Sequence, residues 1–124
     1  MKKWLFVGII ALALSIPCFA EEDFPDASQN TEVVYRMFRT ANIFTFLKLE
    51  TTTGRIWQVQ WGDSSHRFQS PLNAKAFAFD SKVGRFTLYP TRNMFTFILL
   101  DQDSGDSWQI QWGKAGERSV VPIE

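Results

Sequence analysis

The sequence predicts an all-β protein made of two duplicated antiparallel four-strand units, packed as a small sandwich or a partly closed barrel. Three observations carry that reading. Short runs rich in Phe, Trp, Thr, Val and Ile alternate apolar with polar at a period of two. No window carries the apolar stripe of an amphipathic helix. A 24-residue stretch is written twice without a gap, 51 positions apart.

The two copies are Arg39–Gly62 (RTANIFTFLKLETTTGRIWQVQWG) and Pro90–Gly113 (PTRNMFTFILLDQDSGDSWQIQWG). Thr40 matches Thr91, Asn42 matches Asn93, and Phe44-Thr45-Phe46 matches Phe95-Thr96-Phe97. Gly54 matches Gly105, and the run Trp57-Gln58-x-Gln60-Trp61-Gly62 returns as Trp108-Gln109-x-Gln111-Trp112-Gly113. The register continues to Arg67 with Arg118 and Pro71 with Pro122. The repeats therefore span about 23–73 and 74–124, and a β domain is expected over 32–124.

Ahead of the repeats, Lys2 and Lys3 precede an apolar run from Leu5 to Ile16. Pro17 breaks it, Cys18-Phe19-Ala20 offers small residues for a cut, and Glu21-Glu22-Asp23 follow. This is the layout of a secretory signal peptide over 1–20, cleaved after Ala20. The run is shorter than the roughly 20 residues a spanning helix needs. A lipidated Cys18 is the alternative, but Pro17 and Ser15 occupy the places where a lipoprotein signal wants small and apolar residues. Cleavage removes the only cysteine, and with it any disulfide. Residues 21–31 are polar and read as a flexible lead-in. The double-lysine start and short leader look bacterial, so a secreted or periplasmic product is expected.

In the first unit, strands are expected at Val33–Arg39, Ile43–Glu50, Arg55–Trp61 and Arg67–Ser70. In the second they fall at Arg85–Tyr89, Met94–Asp101, Ser107–Trp112 and Arg118–Val121. Lys75–Asp80 (KAFAFD) alternates well enough to add one more. The central hairpins turn through Thr51–Gly54 and Gln102–Gly105, where glycine supplies a positive φ. A four-residue turn sets Phe44 across from Trp61, Phe46 from Val59, Phe95 from Trp112, Phe97 from Ile110, and Leu99 from Trp108. It gathers these apolar residues on one face. The other face carries Thr45, Gln58 and Gln60, and again Thr96, Gln109 and Gln111. The two apolar faces are expected to bury each other, because a unit of this size could not cover its aromatics alone. Each buried Trp or Phe adds roughly 2–3 kcal/mol. A four-stranded repeat also suggests a propeller blade, but two blades close a ring only in an oligomer.

The 124 residues are 45% apolar and 15% aromatic, which excludes a disordered chain. Thirteen basic and thirteen acidic side chains cancel, so nothing favours nucleic acid as a partner. Removing Lys2 and Lys3 leaves eleven basic residues and a charge near −2. His66, the only histidine, has Asp63, Ser64 and Ser65 beside it, but loop neighbours rarely form a working triad. Asp101-Gln102-Asp103-Ser104-Gly105-Asp106 resembles the start of a calcium loop. Its twelfth position is Trp112 rather than a bidentate Glu, and the first unit keeps the glycine without the acids. No cofactor, metal or catalytic residue is expected.

The distinctive candidates are Trp57, Gln58, Gln60 and Trp61, with Trp108, Gln109, Gln111 and Trp112. They read either as a polar ladder flanked by ring platforms for a ligand, or as core tryptophans beside cross-strand glutamines. Asn42 and Asn93 precede the same strand and read as turn supports.

The pattern N-x-F-T-F-x-x-L-[DE]-x-x-x-G-x-x-W-Q-x-Q-W-G, at 42–62 and 93–113, resembles a duplicated hairpin of small uncharacterised bacterial exported proteins. That resemblance implies a bacterial β-protein and no particular activity. The expectation is an exported, non-enzymatic binding or protein-interaction module, its partner an unknown protein or glycan in the envelope or outside the cell. The rivals are a glycan-binding module, which needs exposed tryptophans, and a small secreted hydrolase, which needs a catalytic constellation. Self-assembly through exposed strand edges is one form of the interaction reading. No membrane span is expected after cleavage.

Overall fold

The computed structural model describes residues 31–79 and 82–124. The expected signal peptide, Cys18 and residues 21–30 of the lead-in lie outside the described residues. Eight strands follow: β1 (Tyr35–Arg39), β2 (Thr45–Glu50), β3 (Ile56–Gln60), β4 (Phe68–Pro71), β5 (Phe86–Pro90), β6 (Thr96–Asp101), β7 (Ser107–Gln111) and β8 (Ser119–Ile123). One 3-10 turn, Ala115–Glu117, precedes β8. The strands form two antiparallel sheets, β1-β2-β3-β4 and β5-β6-β7-β8, each an up-and-down meander in chain order. The sheets stack as a sandwich and do not close into a barrel.

The repeated Thr-x-Asn-x-Phe-Thr segment builds the turn into β2 and into β6. Asn42 Oδ1 accepts from the Phe44 N–H at 2.8 Å and from Thr45 Oγ1 at 3.2 Å. Asn93 repeats both bonds with Phe95 and Thr96. Thr40 and Thr91 hydroxyls then reach the carbonyls of Thr45 and Thr96, at 2.7 and 2.8 Å. Short side chains that bond their own backbone make such bends local and sequence-encoded.

The hairpin register is the expected one. Phe46 lies opposite Val59, Phe97 opposite Ile110, and Leu99 opposite Trp108. Both turns close on glycine: the Gly54 N–H reaches Glu50 O at 2.9 Å, and the Gly105 N–H reaches Asp101 O at 2.8 Å. Their φ values are +83° and +84°, a region that L side chains avoid. The surroundings differ. A Cβ on Gly54 would lie 2.9 Å from the Phe77 ring and 3.0 Å from Phe86, whereas one on Gly105 would meet nothing within 4 Å. Gly105→Ala is therefore expected to cost about 1 kcal/mol from backbone strain alone. Gly54→Ala is expected to cost about 2 kcal/mol, since two rings must also shift. Urea unfolding of the two variants checks the difference.

KAFAFD is a correction. Its described part, 75–79, forms no strand. The Phe77 N–H donates to Thr53 O at 2.7 Å, so a turn carbonyl takes the bond a neighbouring strand would need. The Phe77 ring stacks on Trp108, centroids 4.3 Å apart, and Ala78 is buried. The segment ties the first unit's hairpin to the second unit.

The larger correction concerns which face is buried. Directly paired residues share a sheet face. The second unit buries its expected face, with Phe86, Leu88, Phe97, Leu99, Ile110 and Trp112 in the core. The first unit buries the opposite one: Phe38, Thr45, Leu47, Leu49, Ile56 and Gln58. Phe44, Phe46, Trp57, Val59 and Trp61 point outward there. The physical reason lies in the changes between copies. Leu99 of the second unit's inner face is Lys48 in the first, whereas Ile56 of the first unit's inner face is Ser107 in the second. The copies thus stack front to back, in the manner of neighbouring propeller blades, rather than front to front.

Polar ties fasten this stack. Thr51 is fully buried beside the start of β5. Its carbonyl accepts from the Phe86 N–H at 2.9 Å, and its hydroxyl accepts from the Gly84 N–H at 3.1 Å. Arg36 donates to Thr87 Oγ1 at 3.2 Å.

Candidate functional site

The eight candidate residues do not converge on one place. The front-to-back stack divides each Trp-Gln-x-Gln-Trp run between an inner and an outer face. In β3, Gln58 and Gln60 face the second unit, while Trp57 and the following Trp61 face outward. In β7, Trp108 and the following Trp112 face inward, while Gln109 and Gln111 face outward. Trp61 is 50% exposed and its counterpart Trp112 only 5%. Trp57 is half-buried, with the Lys48 ammonium 5.0 Å above its ring and the Arg55 guanidinium at 5.1 Å.

Gln58 is the polar centre of the boundary between sheets and is 3% exposed. Its Oε1 accepts from the Gly113 N–H at 3.0 Å and from Arg118 Nε at 3.2 Å. Arg118 Nε also donates to Gly113 O at 2.8 Å, and its Nη1 donates to Ser70 Oγ at 3.0 Å. The guanidinium carbon lies 5.5 Å from the Phe68 ring centroid. An open pocket of about 370 Å³ adjoins this network, with Asn42, Thr45 and Gln60 on one wall and Met94, Phe95 and Trp112 on the other. Sequence reasoning missed Arg118. The signal available was its repeat partner Arg67, in register with it.

The second notable pocket, about 300 Å³, lies at the end of the first unit and is lined by Phe44, Gln60, Trp61, Gly62, Asp63 and His66. The Phe44 and Trp61 rings pack with centroids 4.9 Å apart. Trp61 Nε1 donates to Ile43 O at 2.9 Å, so the indole is held by its own hairpin. Asp63 Oδ1 accepts from Ser65 Oγ at 2.7 Å and lies 2.7 Å from His66 Nδ1. Ser65 Oγ is 3.2 Å from that same Nδ1. A nucleophile relay needs the acid and the hydroxyl on different ring nitrogens. This trio instead caps a turn, and hydrogen bonds from Ser65 and His66 hold the Asp63 carboxyl below its ordinary pKa.

The acidic turn at 101–106 has its own occupant. Arg85 grips Asp101 with two hydrogen bonds, Nε to Oδ1 at 3.0 Å and Nη2 to Oδ2 at 2.9 Å. The guanidinium holds this carboxyl far below the usual carboxylate range. The Asp103 N–H adds a third bond to Oδ1 at 3.0 Å. Among the described residues, no group of three or more His, Cys, Asp or Glu side chains is placed to hold a metal ion. No helix among them is long and apolar enough to cross a membrane.

The outer faces carry the remaining chemistry. On the first unit, Tyr35, Met37, Phe44 and Trp61 are exposed, with Phe46, Trp57 and Val59 half-buried among them. On the second, Tyr89, Val121 and Ile123 are exposed beside half-buried Ile98 and Leu100. Comparison with known proteins finds no family model, no curated protein and no solved structure that matches this chain.

Proposed function

We propose that this chain is an exported, non-enzymatic protein-interaction module of the bacterial envelope or its surroundings, acting through the two outer sheet faces. The leader at 1–20 supports export. The observation that carries the interaction reading is the pair of broad apolar faces on opposite sides of a small sandwich. Monomers rarely keep such contiguous surface without a partner for it. Aromatic residues such as Tyr35 and Trp61 are the types that dominate binding energy at protein interfaces.

A glycan reading has one observation in its favour. Trp61 and Phe44 stand beside Gln60, Asp63 and His66 in one open pocket, which is a ring platform next to hydrogen-bonding groups. Capture from the producing cell's envelope and culture fluid separates the two, with the protein itself as bait. The interaction reading expects a protein to be recovered and lost with Trp61→Ser, whose exposed side chain leaves the core untouched. Recovery of polysaccharide, competed by free sugar and accompanied by quenching of indole emission, would instead assign the pocket to glycan recognition.

A further inference from the structure

We infer that the occupant of the outer faces is a second copy of this chain, docked head to tail. The outer face of the β1–β4 sheet of one copy covers the outer face of the β5–β8 sheet of the next. The inference rests on the interaction reading above and names its partner.

The argument is continuity with the contact already inside the chain. The two units stack front to back, so each buries a different face of the same repeat. It follows that the outer face of the first unit is the repeat equivalent of the second unit's inner face, and the reverse. Outward Phe46, Trp57, Val59 and Trp61 correspond to inner Phe97, Trp108, Ile110 and Trp112. Outward Tyr89, Ile98, Leu100 and Gln109 correspond to inner Phe38, Leu47, Leu49 and Gln58. Each molecule therefore carries one unused half of its own internal interface at either end.

The polar centre of that interface is preserved in the unused halves. Gln58 accepts from the Gly113 N–H and from Arg118. The equivalents Gln109, Gly62 and Arg67 are retained, while Ser70, which takes Arg118 Nη1, becomes Val121. Gln109 and Arg67 are exposed, and neither side chain meets a partner among the described residues. The backbone is already shaped for the contact: Gly62 has φ +149° and Gly113 has φ +154°. The ring pair beside it is preset too. Phe44–Trp61 lies at 4.9 Å and 51°, and Phe95–Trp112 at 4.8 Å and 52°. Gln60 Nε2 reaches His66 O at 3.1 Å, as Gln111 Nε2 reaches Glu117 O at 3.2 Å. In the assembly, Gln109 Oε1 of one copy takes the Arg67 and Gly62 donors of the next.

The contact is heterologous, so it ends in a closed ring or runs on as a chain. Propellers close with about four to eight blades, which at two blades per chain means roughly two to four copies. Several substitutions make this contact less apolar than the internal one, among them Lys48 for Leu99, Arg39 for Pro90, Ser107 for Ile56 and Ser119 for Phe68. The Lys48 ammonium sits over the outward Trp57 ring, 5.0 Å from its centroid, and donates to Gln69 Oε1 at 2.8 Å, so the docking copy covers a cation already held by its own face. Association is accordingly reversible and depends on concentration.

The test uses protein purified from its producing cell, studied alone by sedimentation and native mass spectrometry across a micromolar to millimolar series. The expected result is a closed oligomer of roughly two to four copies, or a ladder of longer chains, whose population rises with concentration. Gln109→Arg and Arg67→Glu are each expected to weaken association at least about tenfold, by placing like charges together or removing the donor, with the melting temperature of the dilute single chain unchanged. Mixed together, the two variants are expected to re-associate, because every contact is then either native or an introduced arginine against an introduced glutamate. Persistent association of one variant alone would indicate a two-fold contact through like faces and overturn the head-to-tail arrangement. A monomer throughout would overturn self-association. If that monomer still captures a different protein in a Trp61-dependent way, the interaction reading stands without this partner; if it captures none, both fall.

Discussion

Phe86→Ala is expected to lower stability by about 3–5 kcal/mol, whereas Tyr35→Ala, at the equivalent position of the first unit, is expected to cost under about 1 kcal/mol. The two residues are repeat partners, and each begins the first strand of its sheet. Phe86 is 0% exposed and Tyr35 is 51% exposed. The Phe86 ring sits at 6.4 Å from both Phe77 and Trp108 and flanks Gly54, so it meets the linker, its own sheet and the first unit's hairpin at once. Its N–H is tied to Thr51 O, which keeps the backbone from collapsing into the space a smaller side chain would leave. Poor collapse is what raises the cost of a cavity. Tyr35 has water on one side and gives up only surface contacts: its hydrogen bond to Glu50 Oε2 at 3.0 Å, the Trp57 ring at 6.3 Å and the Lys48 ammonium at 5.6 Å. For a domain this small, the Phe86 loss corresponds to a drop in Tm on the order of 15 °C or more. Urea titration of both variants in parallel reads the difference directly. Equal costs would mean that both units bury the same face.

That asymmetry marks where sequence reasoning stopped. The strands, their order within each hairpin and the cross-strand pairs were legible because they are local. Asn42 and Asn93 encode the bend, Gly54 and Gly105 encode the turn, and turn length then sets the register. The burial of one face over the other was not legible by the same route. Period-two patterning sorts residues into two sets but does not say which set meets the partner sheet. In the first unit both sets are substantially apolar: Phe46, Val59 and Trp61 on one side, Leu47, Leu49 and Ile56 on the other. Reading the duplication as a symmetry then assigned both copies the same buried face. A duplication along one chain, joined by a linker that keeps the copies facing the same way, stacks front against back instead. Lys48 against Leu99 was the residue pair that carried this information, since a lysine fits an outer face and a leucine an inner one.

The same asymmetry divided the candidate site. The glutamine ladder looked like one surface in each unit, yet the structure spends Gln58 inside and leaves Gln109 outside. Arg118 went unmarked because basic residues in this chain are scattered singly, and only its place in the repeat distinguishes it. A buried amide needs a donor across the boundary, so the inward turn of Gln58 is what makes Arg118 structural.

Gln58→Leu is expected to cost roughly 3 kcal/mol, and Gln109→Leu to stay within about 0.5 kcal/mol. Leucine fills nearly the same space, so the difference isolates the polar term. At position 58 the substitution strips the acceptor from the buried Gly113 N–H and from Arg118 Nε, at the edge of the open pocket. Leaving a buried donor unpaired costs more than the same hydrogen bond contributes when made, and more still when the donor is charged. Arg118 keeps Gly113 O and Ser70 Oγ, which limits the loss and argues against outright unfolding. At position 109 the amide faces outward in the single chain, and an apolar replacement there disturbs no buried partner. Chemical denaturation at low protein concentration, where only the single chain contributes, reads the fold alone. At high concentration any head-to-tail association adds its own stabilisation to the native state. Gln109→Leu is then expected to lose that concentration-dependent increment while Gln58→Leu keeps it, which separates a glutamine that holds the chain together from one that holds copies together.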